Sequence, residues 1–216
     1  AKKHMVPPFE VSVFADPSGA FTTAAGMVAI TEKHLNDKFS QNLDKSNVVI
    51  LGGTGPVGVA SAVICAKAGA NVTLVGRSLE KAEKIAGICN DRYNSKNVKG
   101  GADADKSDFI NAADIVLNTG AAGIQLMSEE HIKNSNTLKI CADTNAVPPS
   151  GIAGVDVMDN GKVIDISPSK CLGIGALAIG NIKYKSQHEC LKLMYTSEKP
   201  VYLDFEDAFK FAQKSV

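Results

Sequence analysis

Three glycines, Gly53, Gly55 and Gly58, stand in a G-x-G-x-x-G spacing within "VVILGGTGPVGVASAVICAKAGA". A run of Val, Ile and Leu precedes them and an Ala-rich helical pattern follows, the setting that a dinucleotide fingerprint requires. The chemistry of such a turn is the holding of a pyrophosphate. Gly53 allows the tight turn, Gly55 lets main chain approach the anion, and Gly58 lets the helix pack on the strand. The helix start adds N–H donors and a partial positive charge. Thr54, Pro56 and Val57 fill the remaining positions of the loop. The competing reading is a strand-to-helix turn that binds nothing.

The end of the next strand bears on which dinucleotide is held. A site for NAD places Asp or Glu there, about 20 residues after the glycines, to accept from the ribose 2′-OH. Here "NVTLV" runs into Gly76, Arg77 and Ser78, with no carboxylate. Arg77 can grip a 2′-phosphate through a charge-assisted fork and Ser78 can add a hydroxyl, so the expected cofactor is NADP. Lys81 is placed to assist. The alternative for Arg77 is an ion pair with Glu80.

Positioning these residues takes a parallel sheet. "VVILGG", "NVTLVG", "ADIVLNTG" and "LKICADTN" are short β-branched runs ended by Gly or Asn, separated by segments rich in Ala, Glu and Lys. That alternation predicts an α/β protein with a Rossmann-type doubly wound sheet and crossover helices. Before it, a strand is expected over residues 9–14, a turn at 16–19 and a helix to about Leu35. After it come the Gly-rich "CLGIGALAIGNIKYK" and two closing helices, "SQHECLKLMYTS" and "DFEDAFKFAQKSV", the second with an Asp204 and Asp207 capping pair.

Composition limits the partners. The chain has 216 residues, 44% apolar and 21% charged, with a formal net charge of zero, and its lysines are scattered, so neither nucleic acid nor an anionic membrane is an expected partner. Five cysteines without a CxxC pair read as reduced thiols of a cytoplasmic protein. No apolar run approaches the roughly 18 residues of a membrane span. None of His4, His34, His131 and His188 sits in a metal or nucleophile motif, and no metal site is expected. Hydride transfer dispenses with acid and base when the substrate stabilises the cation left behind.

The motifs "GAFTTAAG", "LGGTGPVG", "LVGRSLEKA", "NTGAAGIQL", "ADTNAVPPSGIAGVD" and "LGIGALAIGNIKYK", in that order over nearly the whole chain, resemble those of the NADP-dependent methylenetetrahydromethanopterin dehydrogenases, some of which act on methylenetetrahydrofolate. The resemblance implies hydride transfer from the methylene carbon of a small-molecule pterin to NADP, within one-carbon metabolism, by a homo-oligomer. Family members carry roughly 80 to 90 further residues, the size of a small domain, before the point that matches Ala1. The expected organisation is therefore a remnant of a pterin domain at 1–45, an NADP-binding Rossmann domain at 46–180, and closing helices at 181–216.

Carried over by the resemblance, Asp16, Thr22 and Thr23 face the cleft that takes substrate; helix capping is the alternative. Asn118, Thr119 and Gly120 end a strand where ribose and nicotinamide pass, and Asn145 ends the next, where the proline pair after it could simply fix a loop. Gly173, Ile174 and Gly175 would bring main chain against the nicotinamide, or else allow close helix packing. Lys183, expected near the start of a closing helix, matches a lysine that orients the pterin; the alternative is a solvated lysine. Two other readings stay open: an NADP-dependent dehydrogenase of the shikimate or methylenetetrahydrofolate type, and an NADP-binding module without catalysis.

Overall fold

The computed structural model describes residues 2–216; Ala1, at the head of the expected pterin-domain remnant, lies outside the described residues. In chain order the elements are β1 (Val13–Phe14), α1 (Ala20–Phe39), β2 (Asn47–Leu51), α2 (Pro56–Lys67), β3 (Asn71–Gly76), α3 (Leu79–Tyr93), β4 (Val98–Ala102), α4 (Lys106–Asn111), β5 (Ile115–Asn118), α5 (Glu129–Asn134), β6 (Ile140–Asp143), β7 (Asn160–Val163), β8 (Leu172–Ile174), α6 (Ala176–Thr196), β9 (Tyr202–Leu203) and α7 (Phe205–Ser215). Seven strands form one sheet in the order β4-β3-β2-β5-β6-β8-β7. All its pairings are parallel except β7 with β8. The strand order reverses direction between β2 and β5, and in doubly wound sheets ligands lie beyond the carboxyl ends at such a point.

The central strands are apolar because both faces are covered. Val48 and Ile50 of β2, with Ile115 and Leu117 of β5, pack into one core, whereas Val49, Leu51, Val116 and Cys141 pack into the other. Each large aliphatic side chain removed from water contributes about 1.5 to 3 kcal/mol. All five cysteines are buried and unpaired. Burial pushes the Cys65 thiol up to about 12, with the Glu32 charge adding to it.

Helix α1 packs against α2, α6 and α7, which is why nearly every residue from Ala20 to Thr31 is buried. It runs one turn beyond the expected end at Leu35 and is closed by Ser40 in the left-handed region (φ 51°). Gly26 lies where α1 crosses α6: a Cβ there would come 2.9 Å from the Lys183 main-chain nitrogen and 3.0 Å from the Ile179 oxygen. The strand expected over residues 9–14 forms only at Val13–Phe14. Its partner β9 offers just two residues, and Phe9 stays 79% exposed. The helix expected from "SQHECLKLMYTS" begins ten residues earlier, at Ala176. The glycines of "GIGALAIG" hid its first ten residues; Gly175 is the cap residue, and Gly180 meets nothing within 4 Å. Helix α7 starts with the Asp204 and Asp207 capping box that the sequence predicts.

Candidate active site

The glycine turn joins β2 to α2. Gly52, directly after β2, adopts φ +65°, a conformation that a side chain would strain, and a Cβ on it would sit 2.6 Å from the Gly120 Cα. The sharp turn therefore belongs to Gly52, one residue before the position assigned from the fingerprint. Gly53 instead packs against β3, where a Cβ would lie 2.7 Å from Leu74. Gly58 packs on Gly53: a Cβ there would be 2.6 Å from the Gly53 Cα. Gly55 alone has open space, its nearest neighbour being the Gly52 oxygen at 3.7 Å. Pro56 occupies the first position of α2, where no N–H is required. The N–H groups of Thr54, Val57 and Gly58 find no protein acceptor among the described residues. An open glycine beneath unpaired donors at a helix start fits a pyrophosphate, so the residues present suit a dinucleotide.

Beside this turn, β3 ends at the buried Gly76. Arg77 is exposed and forms no ion pair, with Glu80 or any other described residue. Ser78 caps α3, its Oγ accepting from the Lys81 N–H at 3.3 Å, and the Lys81 side chain is exposed.

Across the strand-order reversal, Thr119 and Gly120 follow β5. The Thr119 hydroxyl donates to the Leu51 oxygen at 3.0 Å, tying this loop to the glycine turn. Asn118 is fully buried and committed to the scaffold: Nδ2 donates to Asp143 at 2.8 Å, and Oδ1 accepts from the Gly120 N–H at 3.1 Å. Asp143, which sequence reasoning passed over, also accepts from the main-chain N–H groups of Asn145 (2.9 Å) and Ile152 (3.0 Å). Asn145 accepts from the N–H groups of Gly123 and Val147 and donates to the Pro149 oxygen at 2.7 Å. Gly151 abuts the Asn118 amide, so a side chain there has no room. The signal available in the sequence was a carboxylate closing the apolar run "KICAD", since a buried charge must have donors. Gly173, Ile174 and Gly175 are buried. A Cβ on Gly175 would run into the Asp156 oxygen, and its N–H donates to the Asp159 oxygen at 2.8 Å.

A second group forms where α1 begins. Asp16 accepts from the N–H groups of Phe21 (2.9 Å) and Thr22 (3.1 Å) and from the Thr22 hydroxyl (2.7 Å). The Thr23 hydroxyl donates to the Gly19 oxygen at 2.6 Å. Asp16 thereby satisfies two N–H groups at the start of the helix, whereas the Thr22 and Thr23 hydroxyls act there as donors. Lys183 reaches the same place from the third turn of α6, not from a helix start. Gly19 has φ +69°, and a Cβ on it would lie 2.7 Å from the Lys183 Nζ. The half-buried Lys183 ammonium has no ion-pair or hydrogen-bond partner among the described residues. Also among those residues, no group of three or more His, Cys, Asp or Glu is placed to hold a metal, and no helix is long and apolar enough to cross a membrane.

The chain is 41% identical over 215 residues to an NAD(P)-dependent methylenetetrahydromethanopterin dehydrogenase of Methylorubrum extorquens, covering 98% of this chain and 72% of the relative. It belongs to the methylenetetrahydromethanopterin dehydrogenase family. A second member of that relationship, the bifunctional protein MdtA of the same organism, is 35% identical over 215 residues, covering 99% of this chain and 72% of the relative. No protein-family model matches the chain. Among solved structures, quinate dehydrogenase from Corynebacterium glutamicum in complex with NAD superposes with a TM-score of 0.55 at 15% identity, over 98% of this chain and 76% of that one. Shikimate 5-dehydrogenase from Listeria monocytogenes gives 0.55 at 13% identity, over 95% and 75%. At those identities they show the fold alone, which this methylenetetrahydromethanopterin dehydrogenase family member shares: a Rossmann-type sheet.

Proposed function

We propose that the chain is an NAD(P)-dependent oxidoreductase that moves a hydride from the methylene carbon of methylenetetrahydromethanopterin, or of the equivalent folate, in one-carbon metabolism. The observation that carries this reading is the 41% identity over 98% of the chain to a dehydrogenase of that name. When bound, the cofactor supplies the hydride acceptor. The C–H bond of the methylene group breaks with its electron pair, and the methenyl product spreads the resulting positive charge over the two flanking nitrogens. No proton has to be removed at that step. The chain's own task is then placement and electrostatics.

Within this reading, the N–H groups of Thr54, Val57 and Gly58 hold the pyrophosphate over the open Gly55, and Pro56 starts the helix. The unpaired Arg77, with Ser78 and Lys81 after the uncharged Gly76, favours the 2′-phosphate, so NADP is preferred. Thr119 and Gly120 border the crevice where ribose and nicotinamide enter. Asn118 and Asn145 serve it by holding the ends of β5 and β6, while Gly173, Ile174 and Gly175 supply main chain at the neighbouring strand end. Lys183, held over Gly19 with its charge unpaired, orients the pterin, and Asp16, Thr22 and Thr23 fix the helix start from which it is approached. The test is the appearance of the methenylpterin absorbance with NADP⁺ and each methylene pterin. Turnover with at least one pterin is expected. NADP binding without turnover on either would overturn the catalytic reading and leave a binding module.

A further inference from the structure

In NAD-type sites the last residue of the second strand is a carboxylate, and here that place is Gly76. Its surroundings show why it carries no side chain. A Cβ built on Gly76 points into the glycine turn and comes 2.7 Å from Thr54 Cγ2, well inside any real contact, while Thr54 Oγ1 lies at 3.6 Å and Ala82 Cβ at 3.7 Å. Thr54 is the residue between the first two glycines of the fingerprint. Its side chain is β-branched and stiff at χ1, so the methyl group is not readily turned out of that space. The turn beneath cannot back off either, because Gly53 is already pressed on β3 and on Gly58.

We propose that Thr54 is a specificity-determining residue: its methyl group occupies the space that an NAD-selecting carboxylate at position 76 requires, so Thr54 and Gly76 together keep the ribose end of the site open to a 2′-phosphate. This rests on the NADP reading above and adds to it. Arg77 attracts the phosphate, and the pair bars the feature that would select its absence. The two positions are consequently coupled. A carboxylate at 76 cannot take its productive place while Thr54 is present. Removing the Thr54 side chain beyond Cβ makes room, since the Thr54 Cβ lies farther from the built Cβ than the 3.7 Å of the third neighbour.

The experiment measures Kd for NADP⁺ and NAD⁺ by calorimetry on the parent, Gly76→Asp, Thr54→Ala and the double variant. Gly76→Asp alone should weaken NADP⁺ at least tenfold and leave NAD⁺ within about twofold of the parent. Thr54→Ala should keep the parent's preference for NADP⁺. The double variant should bind NAD⁺ about tenfold or more tighter than Gly76→Asp does. An NAD⁺ gain in Gly76→Asp alone, or no gain in the double variant, overturns the coupling and leaves the NADP reading intact. A parent that does not prefer NADP⁺ overturns the NADP reading itself. Thermal melts without cofactor supply a second readout: Gly76→Ala should melt lower than the parent, and Thr54→Ala with Gly76→Ala should recover most of the loss. Equal melts for those two variants would also overturn the proposal.

Discussion

At the scale of single residues, two cations without partners, Arg77 and Lys183, are the informative ones. Arg77 makes no ion pair, so its removal leaves the fold untouched and changes only what it would contact. Arg77→Ala is expected to erase most of the preference for NADP over NAD, about 1.5 to 3 kcal/mol for a charge-assisted contact. Calorimetric titration with both cofactors checks it, and a parent protein with equal affinities would remove the basis for the assignment. Lys183 is the second such cation, poised over Gly19. Lys183→Ala should lower turnover by roughly 10²-fold with NADP affinity unchanged, since a misplaced substrate costs rate and not cofactor binding. Lys185, whose Nζ donates to the Ser215 oxygen at the end of α7, is the control: Lys185→Ala should retain turnover, and a loss there as large as in Lys183→Ala would argue against a specific role.

At the scale of elements, the glycine turn separates binding from folding. Gly55 faces open space, whereas Gly58 is wedged on Gly53. Gly55→Val should keep a cooperative melt near the parent's and lose NADP(H) binding; normal binding by this variant would eliminate the fingerprint reading. Gly58→Val should lower stability itself, by about 1 to 3 kcal/mol of overpacking, seen as a lowered midpoint in urea. The junction of α4 with α5 is set by a histidine. The Ser128 N–H donates to His131 Nδ1 at 3.1 Å, and the opposite nitrogen, Nε2, meets the Ser107 hydroxyl at 3.1 Å. The arrangement needs Nδ1 unprotonated, hence a neutral ring. Burial, with the Lys106 charge adding to it, holds His131 below its usual 6.5, against smaller opposing effects of Glu130 and Asp103. With the folded value depressed, this contribution to stability is fully present above pH 6.5 and is lost as pH falls through the folded value. Urea midpoints of the parent should therefore fall more steeply on acidification below 6.5 than those of His131→Gln; parallel curves would show that the ring plays no such part.

At the scale of the whole molecule, one buried carboxylate ties the strand ends that meet at the crevice. Asp143 takes hydrogen bonds from Asn118 and from the main chain at 145 and 152. Asp143→Ala would strand those donors in a dry interior, and a loss of on the order of 3 kcal/mol or more of global stability is expected. An unchanged urea midpoint would contradict it. The sheet, its crossovers, the glycine turn and the α7 capping box were legible in the sequence because each follows from local pattern: period, turn residue and cap. The same holds for the class of ligand, since a strand, a spaced glycine set and a helix are adjacent in the chain. What only the tertiary structure decided concerns residues brought together from distant segments. The fingerprint names Gly53 as the turn, yet Gly52 carries the positive φ, and Gly120 of a distant loop leaves it no room for a side chain. Asn118 and Asn145 read from spacing as cofactor contacts; in the fold the Asn118 side chain also bonds Asp143, and that of Asn145 bonds the main chain at 123, 147 and 149. Gly175, read as an approach to cofactor or a place of close packing, is seen to lie against the 156–159 loop. Lys183 reads as a helix-start lysine, but the crossing of α1 over α6 at Gly26 is what sets it above Gly19. Sequence spacing records which groups are near along the chain; which of them are spent on holding the fold, and which remain free to act, is settled by packing between segments that the chain order keeps apart.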